Sequence, residues 1–301
     1  MAAVAPLSNA SLIGRLLACS LLWSSGFLFM KLAVGVHPFV VAASRAGVAA
    51  LALSAWFVLR GQSPVPRRNE MAPWLMLGTL NGWLPNVLTA YALAQITAGL
   101  SSMIQASGPL MVAVISHFAF AEERLTVRRM VGVAIGFVGM AVLIGPAAFL
   151  DADAGALGML AMAAVSLSYA IGNVYARTVR DVEPARMALG QQTVSALAAT
   201  SLALAFTRDA AAGQIAANLP SLLALGLVAT AIPITIFMTL IRRAGPTRAA
   251  MIGYLLPVWA TLLAVIFIGE TVSLRDLAGA AVILAGVWIV TTAPRPEADA
   301  P

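Results

Sequence analysis

Residues 123–139 read ERLTVRRMVGVAIGFVG, and residues 270–286 repeat the leading Glu and two of the glycines as ETVSLRDLAGAAVILAG. Prolines elsewhere recur at spacings of 146 to 148 residues, and these pairs are Pro38 with Pro184, Pro85 with Pro233, and Pro109 with Pro257. Motifs that recur at one spacing are the sequence signature of a duplicated structural unit. The second half of the chain is therefore predicted to fold as a copy of the first half.

The composition predicts that the chain lies in a membrane. Of the 301 residues, 61% are apolar and 10% charged, and the mean hydropathy is +0.93, whereas soluble domains carry about 25% charged residues. Apolar runs of the length that spans a bilayer, roughly 17 to 25 residues, begin near Leu12, Pro38, Ala72, Ala98, Met130, Ala154, Pro184, Leu219, Thr247 and Leu277. The sequence thus predicts an all-α integral membrane protein with ten transmembrane helices.

The ten spans divide into two units of five. The first is predicted at 12–150 and the second at 154–294, with a cytoplasmic tail at 295–301. Because five is odd, the second unit must cross the membrane in the opposite orientation, which makes two inverted five-helix repeats. Inverted repeats with a binding site at the midplane between them are typical of secondary transporters.

Basic residues predict the orientation in the membrane. Fourteen of the eighteen Lys and Arg residues fall in loops or helix ends on one side, which we call the arginine-rich side. Short loops rich in Lys and Arg stay in the cytoplasm, so both termini are expected there. The net charge of +6 then reflects contact with an anionic bilayer surface, and no nucleic-acid partner is expected.

Signals of catalysis, metal binding and cofactor binding are weak. The chain has one cysteine, Cys19, which excludes an intrachain disulfide framework and a cysteine-based metal cluster. It has no His-Glu-x-x-His, Gly-x-Ser-x-Gly or phosphate-loop motif. Its acidic residues fall at predicted helix ends, in loops or in the tail. No enzyme activity, metal or cofactor is expected.

Several motifs resemble one transporter family. They are Leu22-Trp23-Ser24-Ser25-Gly26-Phe27 near the start, Pro109 to Phe120 followed by Glu123-Arg124-Leu125-Thr126, and Gly269-Glu270-Thr271-Val272-Ser273. Their order and duplication resemble the drug/metabolite transporter superfamily, EamA type. The resemblance implies a ten-helix carrier of the bacterial inner membrane with cytoplasmic termini and a central cavity. It also implies movement of small organic molecules such as amino acids, often outward.

Polar and aromatic residues within spans predict the binding site, because each polar group in hydrocarbon must find a partner or water. Two proline-broken helices carry amides, and the second repeat offers aromatic, amide and hydroxyl groups. The predicted substrate-binding residues are Trp23, Ser24, Asn81, Trp83, Asn86, Ser101, Gln105, Ser107, Tyr169, Asn173, Thr235 and Tyr254. The predicted hinges are Pro85, Pro109, Pro233 and Pro257.

Arg45 is the one charged residue well inside a predicted span. A substrate carboxylate would suit it, but the family resemblance places the second helix at the periphery of the cavity, so a structural role is expected. Gln191 and Gln192 occupy the equivalent region of the second repeat.

The combined prediction is a secondary transporter, an exporter or facilitator, of small organic metabolites, with amino acids, including bulky apolar or aromatic ones, as the leading class. One half is expected to rock on the other, without proton coupling through a buried carboxylate. A flippase for lipids or lipid-linked sugars is the main alternative, and an intramembrane enzyme is a further one. The oligomeric state stays open, and a monomer is compatible with the sequence.

Overall fold

The computed structural model of the chain describes residues 7–33, 35–93, 95–96, 101, 104–144, 155–207, 211–268 and 273–293. Within these ranges every regular element is helical. The expected helix starts near Ala98 and Ala154, the acidic residue Glu270, and the tail at 295–301 lie outside the described residues.

Each repeat contributes five long elements, numbered α1 to α10. The first repeat contains α1 (Asn9–Leu32), α2 (Pro38–Leu59), α3 (Met71–Gly78, Thr79–Trp83 and Leu84–Leu93 in succession), α4 (Gly108–Ala119) and α5 (Val127–Ile144). The second repeat contains α6 (Ala156–Thr178), α7 (Pro184–Thr207), α8 (Leu219–Ala244), α9 (Pro246–Ala250 and Ile252–Ile268) and α10 (Leu274–Thr292). Short connecting helices lie at Arg68–Glu70, Ala121–Glu123 and Ala211–Ala217.

The ten elements confirm the predicted fold class. Among the described residues, six helices are long and apolar enough to cross a bilayer, namely α1, α2, α6, α8, α9 and α10. The described part of α4 is a shorter apolar helix. Since each repeat holds five spans, the two copies run in opposite directions through the membrane.

Two equivalent helices, α3 and α8, widen into a π-helical turn just before a proline. The turns are Thr79–Trp83 before Pro85 and Leu227–Ala231 before Pro233. Proline has no N–H, so it leaves carbonyls of the preceding turn without their helical donor. In α3, side chains of the other repeat donate hydrogen bonds to such carbonyls. Ser168 donates to Leu80 O at 2.7 Å, and Gln191 donates to Asn81 O at 3.1 Å.

Helix α9 breaks earlier than its proline predicts. The helix is interrupted at Met251, six residues before Pro257, which lies inside the following helical segment. In α4 the described helix restarts at Gly108, directly before Pro109. At the repeat spacing of 148 residues, Gly108 is equivalent to Leu256, so the break in α9 lies five residues before the position equivalent to this restart.

The strongest packing joins one repeat to the other. Helices α5 and α10 pack on each other, as do α2 and α7, and each of these pairs consists of repeat equivalents. Helix α1 packs on α8 and α9, and its equivalent α6 packs on α3 and α4 in the same way. These symmetric contacts give the molecule a pseudo-twofold axis.

This packing corrects the expectation that one sequence half rocks on the other. The halves interleave into two mixed groups. We call α1, α2, α8 and α9 the first bundle, and α3, α4, α6 and α7 the second bundle. Each bundle takes two helices from each repeat, so neither sequence half is a separate rigid body.

Glycines allow α5 and α10 to approach closely. A Cβ on Gly286 would lie 2.6 Å from the backbone nitrogen of Gly136, and one on Gly139 would lie 2.7 Å from the nitrogen of Ile283. Residues without side chains permit such backbone contact between membrane helices. The small-residue face of α5 therefore serves packing within the chain.

A buried ion pair fastens the loop after α2 to the start of α7. The Arg186 guanidinium donates to both oxygens of the Glu70 carboxylate, at 2.5 and 2.6 Å, and to the carbonyls of Ser63 and Val65 at 2.8 Å. Both charged residues are buried. Burial raises the pKa of Glu70, but hydrogen bonds and charge from Arg186 and Arg67 outweigh it, and the net pKa is lowered.

A second contact joins the two bundles on the arginine-rich side. The Glu123 carboxylate, after α4, lies against Gly245 in the turn between α8 and α9, where φ is +94°. Glu123 also pairs with Arg129 at 3.9 Å, and both side chains are buried. Burial raises the pKa of Glu123 above its usual value. Glu123 is therefore a buried partner of Arg129 and of the turn at Gly245.

Candidate functional site

A cavity of about 320 Å³ lies between the two bundles. Its described lining comes from eight helices, α1 to α4 and α6 to α9, while α5 and α10 contribute nothing to it. Pockets for small ligands usually measure about 300 to 1,000 Å³. The cavity therefore has the size of a site for a small solute, and its lining places it between the two repeats.

Half of the predicted substrate-binding residues line this cavity. They are Trp23, Asn81, Asn86, Gln105, Tyr169 and Asn173. Trp23 and Tyr169 are repeat equivalents, and they bring an aromatic ring to the cavity from α1 and from α6. The Trp23 ring also packs on Phe237, with 5.0 Å between ring centroids.

Three of the predicted hydroxyl residues donate hydrogen bonds to backbone carbonyls and do not line the cavity. Ser24 donates to the carbonyl of Leu256 at 2.8 Å, Ser107 donates to that of Ile104 just before α4, and Thr235 donates to a carbonyl of its own helix. Hydroxyls in membrane helices commonly satisfy backbone carbonyls in this way. Sequence position alone does not distinguish this use from ligand binding.

The other three residues are also placed away from the cavity. Tyr254 is fully buried and faces α5, where its ring lies against Gly136 and its hydroxyl donates to Val133 O at 3.3 Å. Trp83 donates its indole N–H to Thr79 on the same helix, and Ser101 is buried outside the lining. The prediction of direct substrate contact does not fit the placement of these residues.

Five polar residues line the cavity without having been predicted to bind substrate. They are Arg45, Gln191, Gln192, Ser195 and Thr230. The expectation that α2 is peripheral is wrong, because Ala42, Arg45 and Ala46 of this helix all line the cavity. The signal that could have found Arg45 was its position as the only charge deep within a span.

Arg45 supplies the only charge of the described lining. Its Nε donates to Thr230 Oγ1 on α8 at 2.9 Å, and the Thr230 hydroxyl in turn donates to Leu225 O. No Asp, Glu or His is among the described lining residues. The cavity is therefore electropositive at Arg45 and otherwise lined by amide, hydroxyl, aromatic and apolar groups.

An amide cluster lies on the second bundle. Asn81 donates from Nδ2 to Asn173 Oδ1 at 2.9 Å, and Gln191 donates to the backbone of Asn81. Gly172 makes room for this cluster, because a Cβ there would lie 2.0 Å from Asn81 Oδ1. The hydrogen bonds hold the Asn81 side chain at the cavity wall beside the π-helical turn of α3.

The proline positions lie at or near this wall. Pro109 lines the cavity, and Pro85 and Pro233 follow the two π-helical turns whose residues Asn81, Gly82 and Thr230 also line it. Gly82 has a non-helical backbone, with φ −120° and ψ −106°. The helix breaks are thus concentrated around the cavity.

In the described part of the chain, no group of three potential metal ligands occurs.

Comparison with known proteins gives a consistent result. The model of the EamA-like transporter family matches residues 11–145 and again 156–292. An uncharacterized inner membrane transporter of Escherichia coli, YedA, is 28% identical over 292 residues, covering 93% of this chain and 90% of its own length. A chloroplastic WAT1-related protein of Arabidopsis thaliana is 26% identical, and the chain spans 66% of that protein's length.

One similar protein carries a substrate in its name. A probable amino-acid metabolite efflux pump of Salmonella typhimurium is 28% identical over 201 residues, covering 64% of this chain and 67% of its own length. A solved crystal structure superposes with a TM-score of 0.78 over 94% of this chain and 96% of the other, at 20% identity, which shows the shared fold. With both repeats matched by one family model, the chain belongs to the EamA-like transporter family and is a multi-pass membrane transporter.

Proposed function

We propose that the protein is a secondary transporter that moves small organic metabolites out of the cell, chiefly amino acids, including bulky apolar and aromatic ones. The observation that carries this proposal is the described lining of the cavity, which combines one arginine, several amides and two repeat-equivalent aromatic residues and includes no acidic group. Amides and arginine suit the polar head of an amino acid, while Trp23 and Tyr169 suit an apolar side chain. The name of the Salmonella relative supports this class.

The size of the cavity favours a small solute over the flippase alternative. A volume of about 320 Å³ lies at the lower end of the range for ligand pockets. A lipid-linked sugar would need a larger chamber that also opens toward the bilayer. The lining from eight helices supports a central chamber.

Alternating access is proposed to come from the two mixed bundles. They meet where α2 packs on α7, and Glu123 and Gly245 join them on the arginine-rich side. The π-helical turns before Pro85 and Pro233 provide points at which α3 and α8 bend, since interruptions of the helical hydrogen-bond ladder are where helices kink. Relative rocking of the bundles would open the cavity to each side in turn.

Transport is proposed to proceed without proton coupling through the cavity. No titratable carboxylate or imidazole is present in the described lining. His117 on α4 accepts a hydrogen bond from the Leu125 N–H at 3.0 Å, which fastens it to the turn after α4. Proteoliposomes loaded with amino acid should therefore exchange it without an imposed pH gradient. Accumulation driven by a pH gradient and abolished by His117→Ala would contradict this.

The arginine distribution supports an orientation with both termini in the cytoplasm. Reporter fusions after Pro301 and within the loop 60–70 should both report a cytoplasmic location. A periplasmic signal from either fusion would overturn the orientation.

A proteoliposome panel tests the transport proposal itself. The purified protein is reconstituted and assayed for uptake of the twenty amino acids, and at least one apolar member should enter faster than into empty liposomes. Asn81→Ala and Gln105→Ala should lower that rate several-fold at unchanged protein abundance, whereas Gln62→Ala, in the exposed loop after α2, should not. Transport of no amino acid, or normal transport by both cavity variants, would overturn the proposal.

A further inference from the structure

We propose that the recognition element of the substrate is a carboxylate that binds Arg45, and that the ammonium group is dispensable for binding. This inference rests on the proposed function and names the chemistry of the same cavity. It predicts that carboxylic acids without an amino group bind the cavity as well as amino acids do, and that the corresponding amines are rejected.

The hydrogen bonding of Arg45 leaves most of its donors for a ligand. A guanidinium carries five N–H groups in a fixed planar fork. In the described part of the chain, the Nε–H bonds Thr230, and the two terminal nitrogens have no hydrogen-bond partner. The side chain is partly exposed, and it lines the cavity. The terminal nitrogens thus provide the paired donors that a carboxylate accepts in bidentate geometry.

The charge of the cavity points to the same ligand. A cation within a span is unfavourable unless a counter-charge or polar partner compensates it. Among the described lining residues there is no acidic group to compensate Arg45. A bound monocarboxylate supplies that counter-charge and brings the cavity to neutrality. A zwitterion leaves the net charge of the cavity positive, and an amine adds a second cation. The free energy of binding should therefore be most favourable for the monocarboxylate, intermediate for the zwitterion and least favourable for the amine.

The repeat explains why there is one charge and not two. Gln191 stands at the position of α7 that the Pro38–Pro184 spacing pairs with Arg45 of α2, and it also lines the cavity. Arg45 bonds a residue of the π-helical turn in α8, and Gln191 bonds the equivalent turn in α3. The two repeats therefore make equivalent contacts through different groups, a charged guanidinium in the first repeat and neutral amides in the second. An amide accepts as well as donates, so it tolerates an ammonium group without requiring it.

Tyr169 completes the surroundings of Arg45. This residue lies on α6 and lines the same cavity as Arg45. A phenolic hydroxyl donates to a carboxylate and presents an apolar ring beside it. The same side chain can thus support the head group and the start of an apolar tail. This arrangement suits an apolar monocarboxylate.

The test uses three probes that share one side chain. L-Leucine carries both charges, 4-methylpentanoate lacks the ammonium group, and 3-methylbutylamine lacks the carboxylate. Binding of each probe to the purified full-length protein is measured by isothermal titration calorimetry at pH 7.4. We expect 4-methylpentanoate to bind within threefold of leucine or tighter, and the amine to bind at least tenfold more weakly.

Variants of Arg45 assign the discrimination to its guanidinium. Arg45→Gln should weaken binding of leucine and of 4-methylpentanoate at least tenfold and strengthen binding of the amine, because the repulsion between two cations is removed. Arg45→Lys keeps the charge but loses the planar fork, so it should retain the preference for the acid over the amine at lower affinity. Arg60→Gln removes an exposed arginine at the end of the same helix and should bind all three probes as the wild type does.

The inference is overturned if 4-methylpentanoate fails to bind, if the amine binds as tightly as the acid, or if Arg45→Gln leaves the acid-to-amine ratio unchanged. Should Arg45→Gln fail to fold, the wild-type ratio and Arg45→Lys still decide the matter. Amino-acid transport without this discrimination would refute the carboxylate inference and leave the proposed function standing. Arg45-dependent binding of 4-methylpentanoate without amino-acid transport would do the reverse.

Discussion

Replacing Glu70 with glutamine should destabilise the protein far more than the same replacement at Glu122. In the wild type, the Glu70 carboxylate accepts two short hydrogen bonds from Arg186 and one from the Arg67 N–H. Glutamine removes the charge at nearly the same shape and leaves Arg186 buried without its counter-ion. The substitution therefore isolates the ion pair from changes in packing.

The expected magnitude follows from burial. Hydrogen bonds to charged groups contribute about 1.5 to 3 kcal/mol each, and breaking a buried ion pair by removing one partner costs about 3 to 5 kcal/mol. Glutamine still accepts one hydrogen bond, so we expect a loss at the lower end of that range, about 3 kcal/mol. At about 2 °C per kcal/mol for a large chain, the apparent melting temperature should fall by about 6 °C.

Glu122 is the control because it also pairs with an arginine, but through one longer contact and with more exposed side chains. It pairs with Arg177 at 3.4 Å, and the side chains are 36% and 19% exposed. Exposed pairs contribute about 0 to 1 kcal/mol, so Glu122→Gln should lower the melting temperature by less than about 2 °C. Melting is followed by size-exclusion chromatography of heated, detergent-solubilised protein. Equal shifts in the two variants would refute the reasoning that burial determines the strength of the pair.

The lowered pKa of Glu70 adds a pH dependence with a defined sign. Because the folded-state pKa lies below the usual value of 4.5, the ionised carboxylate stabilises the fold fully above that value. The stabilisation is lost as the pH falls through the folded pKa. The wild type should therefore lose stability when the pH is lowered below about 4.5, and Glu70→Gln should lose less. Parallel melting profiles from pH 7 to pH 3.5 would contradict this.

Two glycine substitutions test close contacts between the repeats. Gly190→Ala should lower the melting temperature by several degrees, because its Cβ would lie 2.0 Å from the Trp74 ring. Gly286→Ala should do the same at the α5–α10 contact, where the Cβ would lie 2.6 Å from the backbone nitrogen of Gly136. Gly14→Ala is the control, because a Cβ at this position would have no atom of a neighbouring element within 4 Å. If Gly14→Ala lowered the melting temperature as much as the other two variants, this view of the packing would be refuted.

The sequence by itself determined the membrane location, the helix count and the duplication. These features follow from local properties, because apolar run length sets the number of spans and recurring residues reveal the repeat. The paired prolines also predicted where α3 and α8 depart from regular helix. For α9 the prediction was less accurate, since the helix breaks at Met251, before its proline.

The composition of the cavity was decided by tertiary structure. Ser24 and Tyr254 fit the expected chemistry of a binding residue, but the fold directs their hydroxyls to backbone carbonyls of other helices. Arg45 was expected to be peripheral, yet contact of α2 with α7 and α8 brings it to the cavity wall. A polar side chain in a membrane helix must find a partner in either case. The sequence around such a residue cannot show whether its partner is a neighbouring helix or a ligand. The interleaving of the two repeats determines which face of each helix meets the cavity.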